Sequence, residues 1–275
     1  MTHFAVWALV LSILAPIIVS GAFRLSAERL WPVAPVRTSR DGLNIVAFLI
    51  WFTTQLVLSP GLALFGTLAT NHFGGGLIAL PTRGWGQAGG FLLYFLVADL
   101  AQYLFHRAEH AFPWLWSLHS LHHADTSVDA TTSVLHHWML PIIGTFMVTV
   151  PMGLLFKVPP IYAAIYSIIG YHGYLMHANV RLDFGRFAWL VTSPSYHRVH
   201  HSAQPEHFDC NYATILPIFD VLFGTYRPAG RGEWPTVGLG DGGEPKSVFD
   251  LVFWPVRESL RAWIKRPLGG AKPNA

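Results

Sequence analysis

Histidine is concentrated in one part of this chain of 275 residues. Thirteen of the fifteen histidines lie between His106 and His207, and eight of these form three clusters, HRAEH at 106–110, HSLHH at 119–123 and HRVHH at 197–201. Neutral imidazole is a common ligand of iron, zinc and copper. Eight imidazoles are more than one ion needs, so the pattern predicts an all-histidine site for more than one metal ion.

The spacing within each cluster fits a helix that presents its histidines on one side. His106 and His110 are four residues apart and would share a helical face. In each HxxHH cluster the first and last histidines are also four apart, while the two adjacent histidines differ by roughly 100° about the helix axis. Adjacent histidines can therefore bind two different ions. Two HxxHH clusters and one HxxxH cluster in the same chain make a set of unrelated structural histidines a poor explanation.

Five other histidines lie in the same half of the sequence. We expect His177, at the end of an apolar stretch, to be a ligand. His172 is either an additional ligand or a hydrogen-bonded histidine between helices. His207 lies in a polar loop and is expected beside the ligands or in a structural role. The adjacent His136 and His137 are left without an assigned role.

The composition indicates a membrane protein. The chain is 52% hydrophobic and only 12% charged, whereas about 25% of residues are charged in a typical soluble domain. Its formal net charge of +3 is too small to indicate nucleic-acid binding. The single cysteine, Cys210, excludes an intrachain disulfide and a cysteine-ligated iron–sulfur cluster.

Apolar stretches of about the length of a bilayer-spanning helix, roughly 20 residues, occur five times. They are residues 4–23, 43–64, 88–105, 139–156 and 161–176. The first is preceded by no basic residue and followed by four arginines, which argues against a secretory leader. With five crossings, sixteen of the eighteen Lys and Arg residues lie on one side, which the positive-inside rule makes cytoplasmic.

The sequence predicts one all-α domain over residues 1–275. About four to five transmembrane helices would carry a cytoplasmic helical cap, formed by residues 106–138 and 177–228, that holds the metal site. The glycine-rich segment 71–90 is typical of a flexible exterior connection. Residues 247–266 predict either an interfacial helix on the cytoplasmic leaflet, kinked at Pro255, or an ordinary helix packed on the domain.

Asp99 lies inside the third apolar stretch, seven residues before His106. This spacing places the two side chains on the same face of a helix, two turns apart. A carboxylate within a membrane needs a partner. We expect Asp99 to hold a metal-bound imidazole through its second nitrogen. The alternative is an ion pair with Arg107.

Segments in the histidine-rich half of the chain resemble those of the fatty acid hydroxylase superfamily, also called the sterol desaturase family. The resemblance covers about half the chain and rests on DLAQYLFHRAEH (99–110), LWSLHSLHHADTSVDATT (115–132), HANV (177–180), SPSYHRVHHS (193–202) and NYATILPIFDVLFGTYRP (211–228). It departs from many relatives at Val134–His137, where no arginine or proline accompanies the histidines.

The resemblance implies an integral-membrane, non-haem di-iron oxygenase with O₂ as co-substrate. It implies that Asn211, in the last segment, lies beside the ligands. The residues implied as iron ligands are His106, His110, His119, His122, His123, His177, His197, His200 and His201.

By the same resemblance, the substrate is a lipid from the bilayer, which is hydroxylated to an alcohol or desaturated to an alkene. The protein would lie in a bacterial inner membrane or the endoplasmic reticulum, with its metal site on the cytoplasmic face. The sequence has no Rossmann fingerprint, cysteine cluster or CxxCH haem motif, so a separate electron-transfer protein is expected as a partner.

Two other functions are compatible with parts of the pattern. HRAEH also fits the HxxEH motif of zinc hydrolases, with Glu109 as general base and His106 and His110 as ligands. That function leaves both HxxHH clusters unused. A non-catalytic metal transporter or sensor would instead place its ionisable ligands near the bilayer midplane. Two irons per chain would support the oxygenase, and one zinc would support the hydrolase.

Overall fold

Two long apolar helices form the membrane-capable part of the chain that the structure describes. A computed structural model describes residues 41–157, 164–240 and 243–264, with a few isolated positions before residue 41. Helix α1 spans Asp41–His72 and helix α2 spans Gly84–Ala111, and both have the length and composition of a membrane crossing. They contain the predicted stretches 43–64 and 88–105. The described chain is mostly helical, as the sequence predicts.

The remaining apolar stretches form shorter helices where the structure describes them. Helix α3 spans Pro113–His123. Residues 139–156 then contain α4 (Leu140–Gly144), a π-helical turn (Thr145–Thr149) and α5 (Val150–Leu155). Helix α6 spans Ala164–Met176 within the stretch 161–176. The stretch 4–23 lies outside the described residues. Two of the five predicted stretches therefore form helices of full crossing length in the described chain.

A short parallel ladder ties the glycine-rich segment to the end of α5. Strand β1 (Ile78–Ala79) pairs with β2 (Phe156–Lys157). Gly76 precedes β1 with a φ of +97°, and a Cβ atom there would lie 2.5 Å from the backbone nitrogen of Lys157. Only glycine fits this close approach. The expectation of a flexible connection is therefore wrong for this part of segment 71–90, because backbone pairing fixes it.

The three histidine clusters lie on or next to helices with defined starts. Helix α3 begins at Pro113, one residue after a break at Phe112 that separates it from α2. Helix α7 (Pro194–His200) begins with Pro194 behind Ser193, whose hydroxyl accepts the backbone N–H of Tyr196 at 3.2 Å. Proline in the first turn and serine at the N-cap both favour helix initiation. The sequence thus fixes where the ligand-bearing turns start.

The last two helices differ in length and in their packing. Helix α8 (Ile218–Phe223) is short and ends at Gly224 in the left-handed conformation. Helix α9 (Val248–Ile264) has a non-helical residue, Phe253, two positions before Pro255, which agrees with the predicted kink.

Helix α9 packs against α3 through one face. Trp254 is fully buried and donates its indole N–H to the hydroxyl of Ser120 at 2.9 Å. Leu251 joins Trp254, Leu121 and Leu135 in one apolar cluster. This contact corresponds to the second of the two alternatives for residues 247–266, a helix packed on the domain.

Candidate metal centre

The structure gathers all nine predicted ligand histidines into two groups. Within each group the candidate ligand atoms lie within 4.8 Å of one another. Group A contains His106, His110, His119, His123 and His200, and group B contains His122, His177, His197 and His201. Each group combines residues that are far apart in the sequence, so the complete fold is needed to form either one.

The adjacent histidines separate as helical geometry predicts. His122 belongs to group B and His123 to group A, while His200 belongs to group A and His201 to group B. The rings of His123 and His201 stack across the boundary between the groups, with centroids 4.4 Å apart. The two groups are therefore direct neighbours, which is the arrangement expected of a dinuclear site.

In group B the inward ring nitrogens lie close together, and two of them face each other as lone pairs. The Nε2 of His177 lies 3.0 Å from the Nε2 of His122 and 2.9 Å from that of His197. His177 donates its Nδ1–H to the carbonyl of Gly173, and His122 donates its own to the carbonyl of Leu135. A carbonyl can only accept, so both neutral rings carry their proton on Nδ1 and have a bare Nε2. These nitrogens cannot hydrogen-bond to each other, whereas a metal cation would bind both.

Group A has the same construction. The Nε2 of His119 lies 3.1 Å from that of His106 and 3.2 Å from that of His123. His106 donates its Nδ1–H to the carbonyl of Tyr212, and His200 donates its own to the carbonyl of Cys210, both at 2.8 Å. Among the described residues, the buried Nε2 of His200 and of His110 have no hydrogen-bond partner. Buried nitrogens without partners, next to oriented imidazoles, fit a metal ion well.

Burial keeps the candidate ligand histidines in the neutral form that binds metals. Desolvation, with a smaller contribution from His136 and His172, lowers the pKa of His177 to about 3, against the opposing effect of its hydrogen bond to Gly173. The same causes hold the pKa values of His119, His122, His123, His197, His200 and His201 well below the ordinary value. A neutral imidazole retains the lone pair that a metal ion requires.

Asn211 lies between the two carbonyls that orient group A. It adopts a left-handed backbone conformation with a φ of 60°, which asparagine tolerates better than most residues. Its side chain accepts the N–H of Arg227 at 2.7 Å and donates to the carbonyl of Tyr196 at 3.1 Å. These bonds fix the turn from which the carbonyls of Cys210 and Tyr212 reach His200 and His106.

Asp99 has neither of its two expected partners. Its carboxylate accepts the backbone N–H groups of Ile215 at 3.2 Å and Leu216 at 2.9 Å. The outer nitrogen of His106 bonds instead to the carbonyl of Tyr212. The expectation was wrong because residues 211–217 run beside α2 without helical hydrogen bonds, and their N–H groups need an acceptor.

Glu109 was not recognised from the sequence as a neighbour of a ligand. Its buried carboxylate lies 3.5 Å from the Nδ1 of His119, the nitrogen that faces away from group A. A general base of a zinc hydrolase would instead face water on the ion. The sequence does show an acidic residue between two histidines of one helix. Which histidine its carboxylate faces, however, depends on how α3 folds back on α2.

Two further histidines with a proposed role at the site lie outside both groups. His172 bonds through Nε2 to the hydroxyl of Thr192 at 2.6 Å. His207 bonds to the hydroxyl of Ser202 at 2.8 Å and lies 3.0 Å from the carboxylate of Glu233. Both therefore support the protein framework around the ligands.

Three histidines without an assigned ligand role also have defined surroundings. His136 stacks on the ring of His122, with centroids 4.3 Å apart. His137 donates its Nε2–H to the carbonyl of Val252 in α9 at 3.0 Å, since its Nδ1 accepts the N–H of Met139. His72 ends α1, about 40 Å along the helix from Asn44, which bonds to Thr131 beside the site.

A cavity of about 400 Å³ opens onto group A. Three of its lining residues, His110, His123 and His200, belong to that group. The rest of its wall combines two aromatic rings, two carboxylates and three smaller or aliphatic residues: Trp116, Phe208, Asp209, Glu258, Ser202, Gly238 and Leu239. A small molecule, or part of a larger one, can therefore reach the candidate metal centre.

Residues 91–225 match a family model described as fatty acid hydroxylase. An alkylglycerol monooxygenase of Xenopus tropicalis is 32% identical over 153 residues, which cover 55% of this chain and 33% of the relative. The ornithine lipid hydroxylase OlsE of Rhizobium tropici is 27% identical over 155 residues, covering 56% and 47%. The chain thus spans less than half the length of these curated relatives. No solved structure matches it.

Proposed function

Because the chain belongs to the fatty acid hydroxylase superfamily, we propose that it is a di-iron oxygenase of a membrane that hydroxylates or desaturates a lipid. Groups A and B each hold one iron, and all nine histidines are ligands. The observation that carries the proposal is the approach of histidine Nε2 atoms to about 3 Å in two adjacent groups, with the bare Nε2 atoms of His122 and His177 facing each other. Imidazole ligands suit iron, and two neighbouring ions suit O₂ chemistry.

Once bound, the two irons supply the reduction of O₂ and the oxidation of a C–H bond. In hydroxylation, one oxygen atom enters the alcohol and the other leaves as water, which consumes two electrons and two protons from outside. The protein orients the ligands through the carbonyls of Gly173, Leu135, Cys210 and Tyr212. Seven of the nine histidines are buried, which limits the access of water to the centre. Binding, orientation and exclusion of water are what a protein contributes to such chemistry.

The cavity at group A favours a lipid of which only a part is enclosed. Its volume of about 400 Å³ is at the small end of the range of ligand pockets. The part of the substrate around the reacting carbon fits inside, and the remaining apolar chain stays in the bilayer. The names of the relatives support a lipid with a polar head. The carboxylates of Asp209 and Glu258 could accept hydrogen bonds from such a head.

The proposed topology has five crossings in one domain over residues 1–275, with the metal centre on the cytoplasmic side. Pairing of β1 with β2 holds the α1–α2 connection next to Lys157. This supports the topology, because the five-crossing arrangement places both the connection and Lys157 on the exterior side. Electrons come from a separate protein that docks on the cytoplasmic side, where sixteen basic residues lie.

Metal analysis combined with lipid mass spectrometry tests the function. Purified protein should contain about two irons per chain, and cells with the active protein should gain a lipid that differs by one oxygen or two hydrogens. The matched control is a chain with both His119→Ala and His197→Ala, one substitution in each group. One zinc per chain and an unchanged lipid profile would contradict the proposal and favour the hydrolase.

A further inference from the structure

Two segments near the metal centre have apolar side chains that are exposed in the described chain. One lies in and beside the 3₁₀ turn Gly185–Phe187, and the other is α8. Leu222 of α8 is 68% exposed. We define the border surface as the exposed apolar residues of both segments: Phe187, Trp189, Leu190, Val191, Val221, Leu222 and Phe223.

Helix α8 lies beside the apolar part of α2. The ring of Phe223 stacks on Tyr103 of α2, with centroids 5.4 Å apart and planes within 18°. Just before α8, the N–H of Leu216 bonds to Asp99. Asp99 is six residues, or about 9 Å, inside the end of the apolar stretch at residue 105. The segment leading into α8 is therefore level with the membrane-spanning part of α2.

The other segment is held at a similar level. Thr192, which directly follows it, donates its backbone N–H to the carbonyl of Ile215 and its hydroxyl to the carbonyl of Thr214. The same hydroxyl accepts a hydrogen bond from His172, which lies in the apolar helix α6. Both parts of the border surface are thus attached to residues 214–216 and to apolar helices.

The backbone of these segments is suited to contact with lipid. Hydrocarbon offers no hydrogen bonds, so N–H and C=O groups at this depth must find partners within the protein. The turn before Thr192 is internally bonded, with Phe187 to Phe184 at 3.0 Å and Leu190 to Phe187 at 2.9 Å. The carboxylate of Asp99 satisfies the two N–H groups of residues 215–216. A buried acid within an apolar helix thereby has a structural purpose.

We propose that the border surface is embedded in the leaflet next to the metal centre and that lipid covers it. The depth of its attachment to α2 and α6 favours lipid over a second copy of the chain. Arg186, whose guanidinium lies 4.7 Å from the ring of Phe187, is placed to meet anionic headgroups at the edge of the surface. Part of segment 177–228, assigned to the cytoplasm from the sequence, then reaches into the membrane. This inference does not depend on the reaction catalysed.

Depth-dependent quenching of a fluorophore tests the inference on the full chain. The chain is reconstituted into vesicles of phosphatidylcholine and phosphatidylglycerol, with Cys210→Ala as the background. An NBD label is attached to Leu222→Cys or Leu190→Cys, both in the border surface. The matched control is Arg231→Cys, an exposed position in a polar loop. Quenching by nitroxide-labelled lipid is compared with quenching by aqueous iodide.

We expect labels at positions 222 and 190 to emit at shorter wavelength than the label at 231. Nitroxide-labelled lipid should quench them more strongly than iodide does, with the opposite order at position 231. Stronger quenching by iodide at 222 and 190 would overturn the inference, because the surface would then face water. Protection from both quenchers would also overturn it, and cross-linking through Leu222→Cys would then identify a second copy as the cover.

Discussion

The carbonyl of Tyr212 accepts the Nδ1–H of His106 at 2.8 Å, across 106 residues of sequence. This bond joins the end of α2 to the turn centred on Asn211. Two residues earlier in that turn, the carbonyl of Cys210 orients His200 in the same way. The direction of two imidazoles of group A therefore depends on one short backbone turn.

Asn211→Ala should weaken metal binding at group A without removing a ligand. The substitution deletes three side-chain hydrogen bonds and places alanine at a positive φ, so the two carbonyls lose their positions. Loss of such supporting bonds typically costs about 10- to 100-fold in metal affinity or activity. Asn211→Gly is the matched control, since glycine relieves the backbone strain but does not restore the lost hydrogen bonds. Iron affinity equal to wild type in both variants would contradict this role.

Single substitutions should distinguish the two groups. His119→Ala should remove the iron of group A, and His197→Ala should remove the iron of group B. If each group holds one iron, the total iron per chain falls by about half in either variant. Turnover should be lost in both variants. His72→Ala is the control, because this residue ends α1 far from the site. Normal activity in both ligand variants would refute the assignment.

Asp99 should affect stability more than metal binding. Asp99→Leu leaves the N–H groups of Ile215 and Leu216 without an acceptor, and a buried unsatisfied group costs about 1–3 kcal/mol. Thermal unfolding in detergent should show the loss, while iron per folded chain stays close to wild type. Asp99→Asn combined with Arg107→Gln should be no more stable than Asp99→Asn alone. Recovery of stability in that pair would instead indicate an ion pair.

Cys210 should resist alkylation in the folded protein. Burial raises the pKa of its thiol to about 12, and the thiol donates to the carbonyl of His207 at 3.0 Å. The thiolate is the reactive form, so at pH 8, far below that pKa, iodoacetamide should react slowly. Reaction should become complete after denaturation in SDS, which serves as the control. Rapid labelling of the native protein would show that residue 210 is accessible.

Thiol labelling also tests which side of the membrane each connection faces. Leu77→Cys lies in the connection between α1 and α2, and Arg231→Cys lies in a polar loop beyond α8, and both positions are exposed. In sealed vesicles an impermeant maleimide should label these two positions from opposite sides, with native Cys210 silent. Labelling of both from one side would contradict the five-crossing topology.

Features of the site that arise within one helix could be predicted from the sequence. The 100° rotation between neighbouring residues is sufficient to assign His122 and His123, or His200 and His201, to different groups. The partner of Asp99 could not be predicted, because the N–H groups that need it belong to an irregular segment more than a hundred residues later. The direction of Glu109 likewise depends on the turn at Phe112. Such tertiary relationships have no periodic signal.

The facing Nε2 atoms of groups A and B have a consequence for biogenesis. Without a cation between them, the facing lone pairs of His122 and His177 oppose the final packing of α3 against the end of α6, so metal binding and completion of the fold are coupled. Each ion then adds to the stability of the mature protein by an amount that grows with the logarithm of the ratio of its concentration to its dissociation constant. In a cell short of iron, newly made chains would remain loosely assembled in the membrane. Membrane proteases would meet those chains first, so the abundance of the protein would follow the iron supply.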